Sequence, residues 1–214
     1  MALSFNSSNG SAKKSAISYF KLEDGLNTFR ILPDTIVAMY QYWLPSTSGK
    51  NLPFECLSFD RGEERFTNTE TDWCQHYFPD IKCGWAYSCQ VVNKAGEVKV
   101  LTLKKKMYEQ IREAAEDLGD PTDLQNGWDC VVLRKKTGPL AYNVEYSLQV
   151  LKCKPSPVSA EVIEAWKAGK SIDELIVRTT PEAQHALIKS LCLKEGAENT
   201  DAAATEEFDD DVAF

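Results

Sequence analysis

The hydrophobic period of this chain changes sharply at Lys104, and that change sets the main limit on its fold. Before it, residues 85–92 and 97–103 are rich in β-branched and aromatic side chains and are joined by the short Gly-containing link 93–96, the pattern of a β-hairpin. After it, Met107, Ile111, Ala114, Ala115 and Leu118 recur at helical spacing, so residues 105–118 form an amphipathic helix that stops at Gly119. Two further strands follow, at 127–135 and 141–152. In the second, Tyr142, Val144, Tyr146, Leu148 and Val150 alternate with Asn143, Glu145, Ser147 and Gln149, so one face is buried and the other is wet.

Upstream, residues 27–32 read as a strand stopped by Pro33, 35–44 as a second strand and 53–60 as a third. Residues 61–82 lack clean periodicity and read as an insertion. Pro155 and Pro157 end the sheet region. A helix over 158–168 follows, then a capping box from Ser171 to Glu174, then a last helix from Pro181 to about 193 with Thr180 as its N-cap. The expected organisation is a flexible N-terminal arm (1–18), a main domain (19–154) with its insertion (61–82), a helical extension (155–194) and a disordered acidic tail (195–214). The expected fold is mainly β: a five-stranded Greek-key barrel of the oligonucleotide-binding (OB) class with one inserted helix and small C-terminal helices. The element order alone also permits other α+β folds.

Charge separates the tail from the body. The chain has 32 acidic and 24 basic residues, and from Glu195 onward it has eight acidic residues with no Lys or Arg, which leaves residues 1–194 with 24 of each. Such a tail cannot bury enough apolar surface to offset its ordering entropy. It ends in Asp209, Asp210, Asp211 and the aromatic Phe214, a peptide suited to docking on a basic, apolar pocket of a partner. The neutral body leaves room for a cationic groove. No apolar run is long enough to span a bilayer, and the first 18 residues lack the apolar core of a signal peptide. Seven cysteines at irregular spacing fit a reducing compartment, so the expected location is cytoplasmic.

Nucleophile and phosphate-loop motifs are absent from the sequence: there is no Gly-rich loop ending in Lys-Ser/Thr, no G-x-S-x-G and no H-E-x-x-H. Asp72, Asp80 and Asp123 make no tight carboxylate constellation for a nuclease, so the chain is not expected to be an enzyme. Cys74, His76, Cys83 and Cys89, with Cys56 nearby, could hold zinc, but no C-x-x-C occurs and Cys89 shares strand parity with Tyr87 and Val91. Buried or loop cysteines without metal are the favoured reading, and no cofactor is expected.

The remaining pattern interleaves basic and aromatic residues. Arg30, Lys99, Lys104, Lys105, Lys106, Arg134, Lys135 and Lys136 are the candidate phosphate contacts. Tyr40, Trp43, Phe59, Trp73, Trp85 and Tyr142 are the candidate base platforms, since exposed rings stack on bases and cations neutralise phosphates. Core packing competes with stacking for every one of these rings. Tyr87 and Tyr146 lean toward the core by parity. Lys104–Lys106 are badly placed for the helix they precede, because cations at a helix N-terminus oppose its dipole.

Three stretches carry a resemblance. Residues 19–33 contain Gly25, Asn27, Arg30, Ile31, Leu32 and Pro33 in the pattern G-x-N-x-x-R-I-L-P; residues 120–129 (DPTDLQNGWD) are followed by Val131, Val132, Leu133, Arg134 and Tyr142; and residues 206–214 form the acidic tip. On these residues the chain resembles phage single-stranded DNA-binding proteins of the helix-destabilising type. The resemblance implies an OB barrel that coats single-stranded DNA during phage replication, recombination and repair, in the cytoplasm of the infected bacterial host. It implies an acidic tip that recruits replication or recombination proteins and restrains DNA binding, and it raises self-association on DNA through the N-terminal arm. That arm carries only Lys13 and Lys14 as basic groups. In T-even relatives the insertion holds zinc through one His and three Cys, a set that Cys74, His76, Cys83 and Cys89 match only in type. The competing function is a protein-binding adaptor or DNA mimic acting through the acidic tail, which would predict acidic residues spread over the folded body.

Overall fold

The computed structural model describes residues 17–139 and 143–193. The strands are β1 (Gly25–Ile31), β2 (Val37–Pro45), β3 (Asn51–Glu55), β4 (Phe59–Asp60), β5 (Arg65–Phe66), β6 (Gly84–Asn93), β7 (Val98–Lys104), β8 (Cys130–Lys136) and β9 (Val144–Leu148). The helices are α1 (Trp73–Tyr77), α2 (Lys105–Leu118), α3 (Ala160–Ala168), α4 (Ile172–Leu175) and α5 (Pro181–Leu191). Among the described residues the main sheet is antiparallel and curled, with seven strands in the order β3-β2-β6-β1-β8-β9 and β7 on the other edge of β6; β4 and β5 form a separate hairpin.

The long strand β6 organises this sheet. Along one edge its first half pairs with β2 (Tyr40 opposite Trp85) and its second half with β1 (Ile31 opposite Val91), while β7 runs along the other edge. The two halves therefore belong to two different packing units. The larger core joins Phe29, Ile31, Cys89, Val91, Leu101, Leu103, Val132 and Leu148 of the sheet to Met107, Ile111 and Ala114, the periodic face of α2. That helix ends at Gly119, whose φ of 81° and ψ of −175° only glycine adopts without strain. The fully buried Trp128 donates its indole N–H to the Gly119 carbonyl at 2.8 Å, which fixes the helix end against the core.

The second core is built by the segment between β1 and β6. Tyr42, Leu44, Phe54, Cys56, Phe59 and Cys74 enclose Ile188 of α5. Gln184, 1% exposed, spans the junction: its side-chain oxygen accepts the Trp73 amide at 2.7 Å and its side-chain nitrogen donates to the Glu55 carbonyl at 2.8 Å. Arg178 donates to the Leu57 and Phe59 carbonyls at 2.8 Å, and Arg61 holds Glu55 with two bonds of 2.6 and 2.7 Å. The C-terminal helices thus brace the insertion. Their starts follow the sequence signals: Thr180 caps α5 ahead of Pro181, and Ser171 and Glu174 form a reciprocal capping box.

Three expectations are revised. The sheet has seven strands where a five-stranded barrel was expected, because β2 and β3, which precede the 61–82 insertion, add to the sheet through β6. No ladder joins β7 to β9 among the described residues. The outer edge of β7 is instead bonded by residues 18–20, with Phe20 N–H donating to Val100 O at 2.8 Å and Val100 N–H to Ser18 O at 2.9 Å, and α2 packs against both β7 and β9. The strand expected over 141–152 is shorter. After Leu148 a tight turn over Val150–Lys152 sends Cys153 into the core and leaves Leu151 almost fully exposed.

Candidate nucleic-acid interface

Alternate residues of a strand share a face, so Trp85 and Tyr87 lie on the side of β6 that carries Cys89 and Val91 further along. Around Cys89 and Val91 that face is sealed. Around Trp85 it is only half covered, because the two cores meet there without closing over it. Tyr40, opposite Trp85 in the ladder, places its ring 4.5 Å from the indole. Phe66 of β5 lies 4.7 Å from Tyr40, Trp85 and Tyr87 stack at 5.5 Å, and Tyr108 of α2 stacks on Tyr87 at 3.8 Å and 17°. Five rings therefore run Phe66–Tyr40–Trp85–Tyr87–Tyr108 from the β4–β5 hairpin to α2. Phe66 is 48% exposed and the other four are half-buried.

Burial pushes the Tyr40 hydroxyl up to about 12. The Tyr87 hydroxyl is raised too, first by burial and then by Tyr108 beside it. Both rings stay neutral across the ordinary pH range, which suits stacking against bases beside a polyanionic backbone. Lys104, Lys105 and Lys106 are exposed at the start of α2, within one turn of Tyr108. Lys105 reaches Glu109 at 3.8 Å, and Lys104, the N-cap residue, makes no capping hydrogen bond. Glu64, Glu109 and Arg112 also act on the Tyr87 hydroxyl, so the rim of the strip carries both signs of charge.

The structure brings only some of the expected residues to this strip. Tyr40 and Trp85 are its centre, and Lys105 and Lys106 open α2 just before Tyr108; Lys104, the ladder partner of Ala86, lies on the other face of the sheet from Trp85 and Tyr87. Phe59 lies directly behind it, 1% exposed, with its ring 4.8 Å from Tyr40; it supports the strip and presents no free face. Trp43 is 53% exposed but points to the opposite side of β2 from Tyr40 and Tyr42. Trp73 lies apart, stacked on His185 at 3.9 Å and 8°, where it joins α1 to α5. Lys99 sits at the far end of β7 from Lys104 and is paired with Glu97 at 2.8 Å.

Arg134 pairs with Asp24, while Lys135 and Lys136 are exposed at the end of β8. Arg30 is the clearest revision. It is 3% exposed, with its guanidinium bonded to Asp129, to the Asp123 carbonyl at 3.2 Å and to Ser156. A guanidinium occupied in this way positions the 120–129 loop and cannot also reach a phosphate. Tyr142, Asp209, Asp210, Asp211 and Phe214 lie outside the described residues.

Three rings of the strip escaped the sequence reading. Tyr87, read as a core residue by parity, does pack against the main core but is half-buried and continues the strip. Tyr108 sits beside the buried Met107 at the margin of the apolar stripe of α2, and the lysine run before it was the available signal. Phe66 lies in a stretch without periodicity, and nothing in the sequence marks it.

The zinc candidates do not converge. Cys89 is buried in the main core with its thiol aimed at the Leu101 carbonyl, Cys74 and Cys83 belong to the second core, and His76 is exposed with its ring edge-on to Trp73. Among the described residues no group of three or more His, Cys, Asp or Glu is arranged to hold a metal ion. No described helix is long and apolar enough to cross a membrane.

Comparison with known proteins adds one similarity. Over 72 residues, 34% of this chain, the sequence is 33% identical to a protein named "Probable ssDNA-binding protein" from Escherichia phage T5. The matched stretch spans 27% of that protein's length. No family model matches the chain.

Proposed function

We propose that this protein binds single-stranded DNA without catalysis, with bases lying against the Phe66–Tyr40–Trp85–Tyr87–Tyr108 strip and phosphates beside Lys105 and Lys106. The observation that carries this reading is the strip itself: five rings in sequence across a half-open sheet face, too exposed for a core and too continuous for chance surface aromatics. Each stacked base contributes roughly 1–3 kcal/mol and requires no particular sequence. A duplex keeps its base faces covered, so the strip selects single strands.

The similarity to the phage T5 protein supports the same class of ligand. So does the chain order. The order β7-β6-β1-β8-β9, with α2 between β7 and β8, is the one expected of an OB barrel, and on that reading the strip starts from the face of its second strand, β6. On this reading the protein coats DNA during phage replication, recombination and repair in the host cytoplasm. Asp209–Asp211 and Phe214 would recruit replication proteins while the tail competes with DNA for the lysines at the start of α2. Lys135 and Lys136 extend the phosphate path along β8.

The test is a tryptophan-fluorescence titration with a deoxythymidine oligonucleotide and with a matched duplex, at two salt concentrations, on the full chain and on a chain ending at Thr200. Quenching by the single strand alone, weakened by salt and strengthened by truncation, is the expected result. Equal response to duplex, or affinity independent of salt, would overturn the reading.

A further inference from the structure

The five rings occupy one face of the sheet, and the face behind them carries a tryptophan of its own. Side chains alternate along a strand, so Gln41 and Trp43 of β2 point away from Tyr40 and Tyr42, and Gly84 and Ala86 of β6 point away from Trp85 and Tyr87. The ladders set Gln41 opposite Gly84 and Ala86 opposite Lys104. Gly84 is therefore the diagonal neighbour of both Trp43 and Lys104, at about 7–8 Å in each direction. The three residues form a line across β2, β6 and β7.

Each member of the line offers something different. Trp43 is 53% exposed and presents its indole to solvent near the end of its strand. Gly84 is exposed, and no atom stands within 4 Å of the place a Cβ would take. The floor between the tryptophan and the lysine is thus bare main chain, which a ligand can approach closely. Lys104 is exposed on the far side, and exposed Lys82 lies two residues before Gly84.

Among the described residues of β2, β3, β6 and β7 that share this face, the one acid is Glu55, opposite Gln41. Its side chain is 8% exposed and is held by Arg61 at 2.6 Å and by Arg178 at 3.4 Å. The field beside Trp43 is therefore net positive, whereas the rim of the strip mixes lysines with Glu64 and Glu109.

We propose that Trp43, Gly84 and Lys104 form a second contact for single-stranded DNA on the face opposite the aromatic strip. A base lies on the Trp43 indole, the sugar–phosphate chain passes over Gly84, and a phosphate meets Lys104. This contact rests on the function proposed above and extends it. A strand leaving Trp85 reaches the second face around the start of β6, where Lys82 and Gly84 come just before Trp85 in the chain. Short ligands are held by the strip alone. Longer ones engage both faces, and the second contact then forms as an intramolecular step that raises affinity.

The test compares the full-length wild type with Trp43→Ala, Gly84→Val and Lys104→Gln. Each is titrated with dye-labelled deoxythymidine oligonucleotides of about 4 and about 16 nucleotides, the range of site sizes on one oligonucleotide-binding fold. Anisotropy of the dye reads binding independently of the tryptophans. Gly84 does not sit at positive φ and its surroundings are open, so valine fits there and a loss of affinity in this variant cannot be assigned to unfolding. Trp43→Ala and Gly84→Val should weaken the long ligand at least about fivefold, the lower end for one stacked base, and the short ligand less than about twofold. Lys104→Gln should flatten the salt slope by about 0.7 for the long ligand only. Equal losses at both lengths overturn the second contact, because Trp43 then acts on the strip itself. No loss at either length overturns it as well and gives the exposed indole to a protein partner. A wild-type chain that binds neither oligonucleotide refutes the function proposed above; a wild type that binds both, with all three variants unchanged, refutes the second contact alone.

Discussion

Replacing Lys104, Lys105 and Lys106 together by Gln should make the protein more stable and a weaker DNA binder. Opposite signs are expected because the lysines stand where the fold does not want them. The N-terminus of α2 carries the equivalent of about half a positive charge, no acidic residue lies in its first turn, and no side chain caps it. Removing an exposed cation from such a site relieves about 0.3–1 kcal/mol at low ionic strength. Against this stands the lost Lys105–Glu109 pair, about 0.3–0.5 kcal/mol for an exposed helical pair. Gln and Lys have nearly the same helix propensity, so the exchange adds no backbone term.

With screening, the net gain is about 0.5–1 kcal/mol, or a melting temperature higher by roughly 1–4 °C for a chain of this size. If all three lysines neutralise phosphates, the slope of log affinity against log salt should flatten by about 2, at roughly 0.7 per contact on a single strand. Thermal denaturation by circular dichroism reads the first effect, and oligonucleotide titration across a salt series reads the second. A slope unchanged within about 0.5 would remove these lysines from the phosphate path, and a fall in stability would refute the dipole argument.

Arg30→Met should cost about 2–4 kcal/mol in urea denaturation, because it strands the Asp129 carboxylate and the Asp123 and Ser156 carbonyls. The salt slope of DNA binding should stay at the wild-type value; a flattened slope would return Arg30 to the phosphate path. Ile188→Ala should cost about 2–5 kcal/mol, since this fully buried side chain fills the second core, and protease cleavage within α5 should become faster at sub-denaturing urea. Stability should fall between pH 10 and 12. The Tyr40 hydroxyl titrates at about 12 when folded against an ordinary value of 10, so the unfolded chain loses its proton first and the folded state loses its advantage as pH rises. The denaturation midpoint measured from pH 9 to 11.5 should decline less steeply in Tyr40→Phe; identical slopes would sink that assignment.

Much of the fold was legible because local signals agreed with the tertiary outcome. The hairpin β6–β7, the helix α2 with its stop at Gly119, and the caps of α4 and α5 all follow from period and end chemistry. The sharing of β6 between two partners was not legible, since pairing of its first half with β2 depends on the insertion folding back over Phe59 and Ile188. For the site, the sequence marked Tyr40, Trp85 and Lys104–Lys106 by residue type. It could not separate them from Trp73, Phe59 and Arg30, whose types are the same and whose difference is burial by distant elements. Trp73 meets His185, and Arg30 meets Ser156, across more than a hundred residues of chain.

The bracing of the second core by α5 also has a consequence for the newly made chain. Phe54, Phe59 and Cys74 leave the ribosome about 110–135 residues ahead of Ile188 in the helix that covers them. At about 5–20 residues per second, that surface waits roughly 6–27 s for its lid. Until Ile188 arrives, the half of β6 that carries Trp85 has its ladder partners but no sealed floor. A truncated or stalled product would therefore expose apolar surface next to an unfinished sheet, the kind of surface chaperones bind. The C-terminal helices, remote from the aromatic rings in sequence, thus set the moment at which the protein first becomes competent to use them.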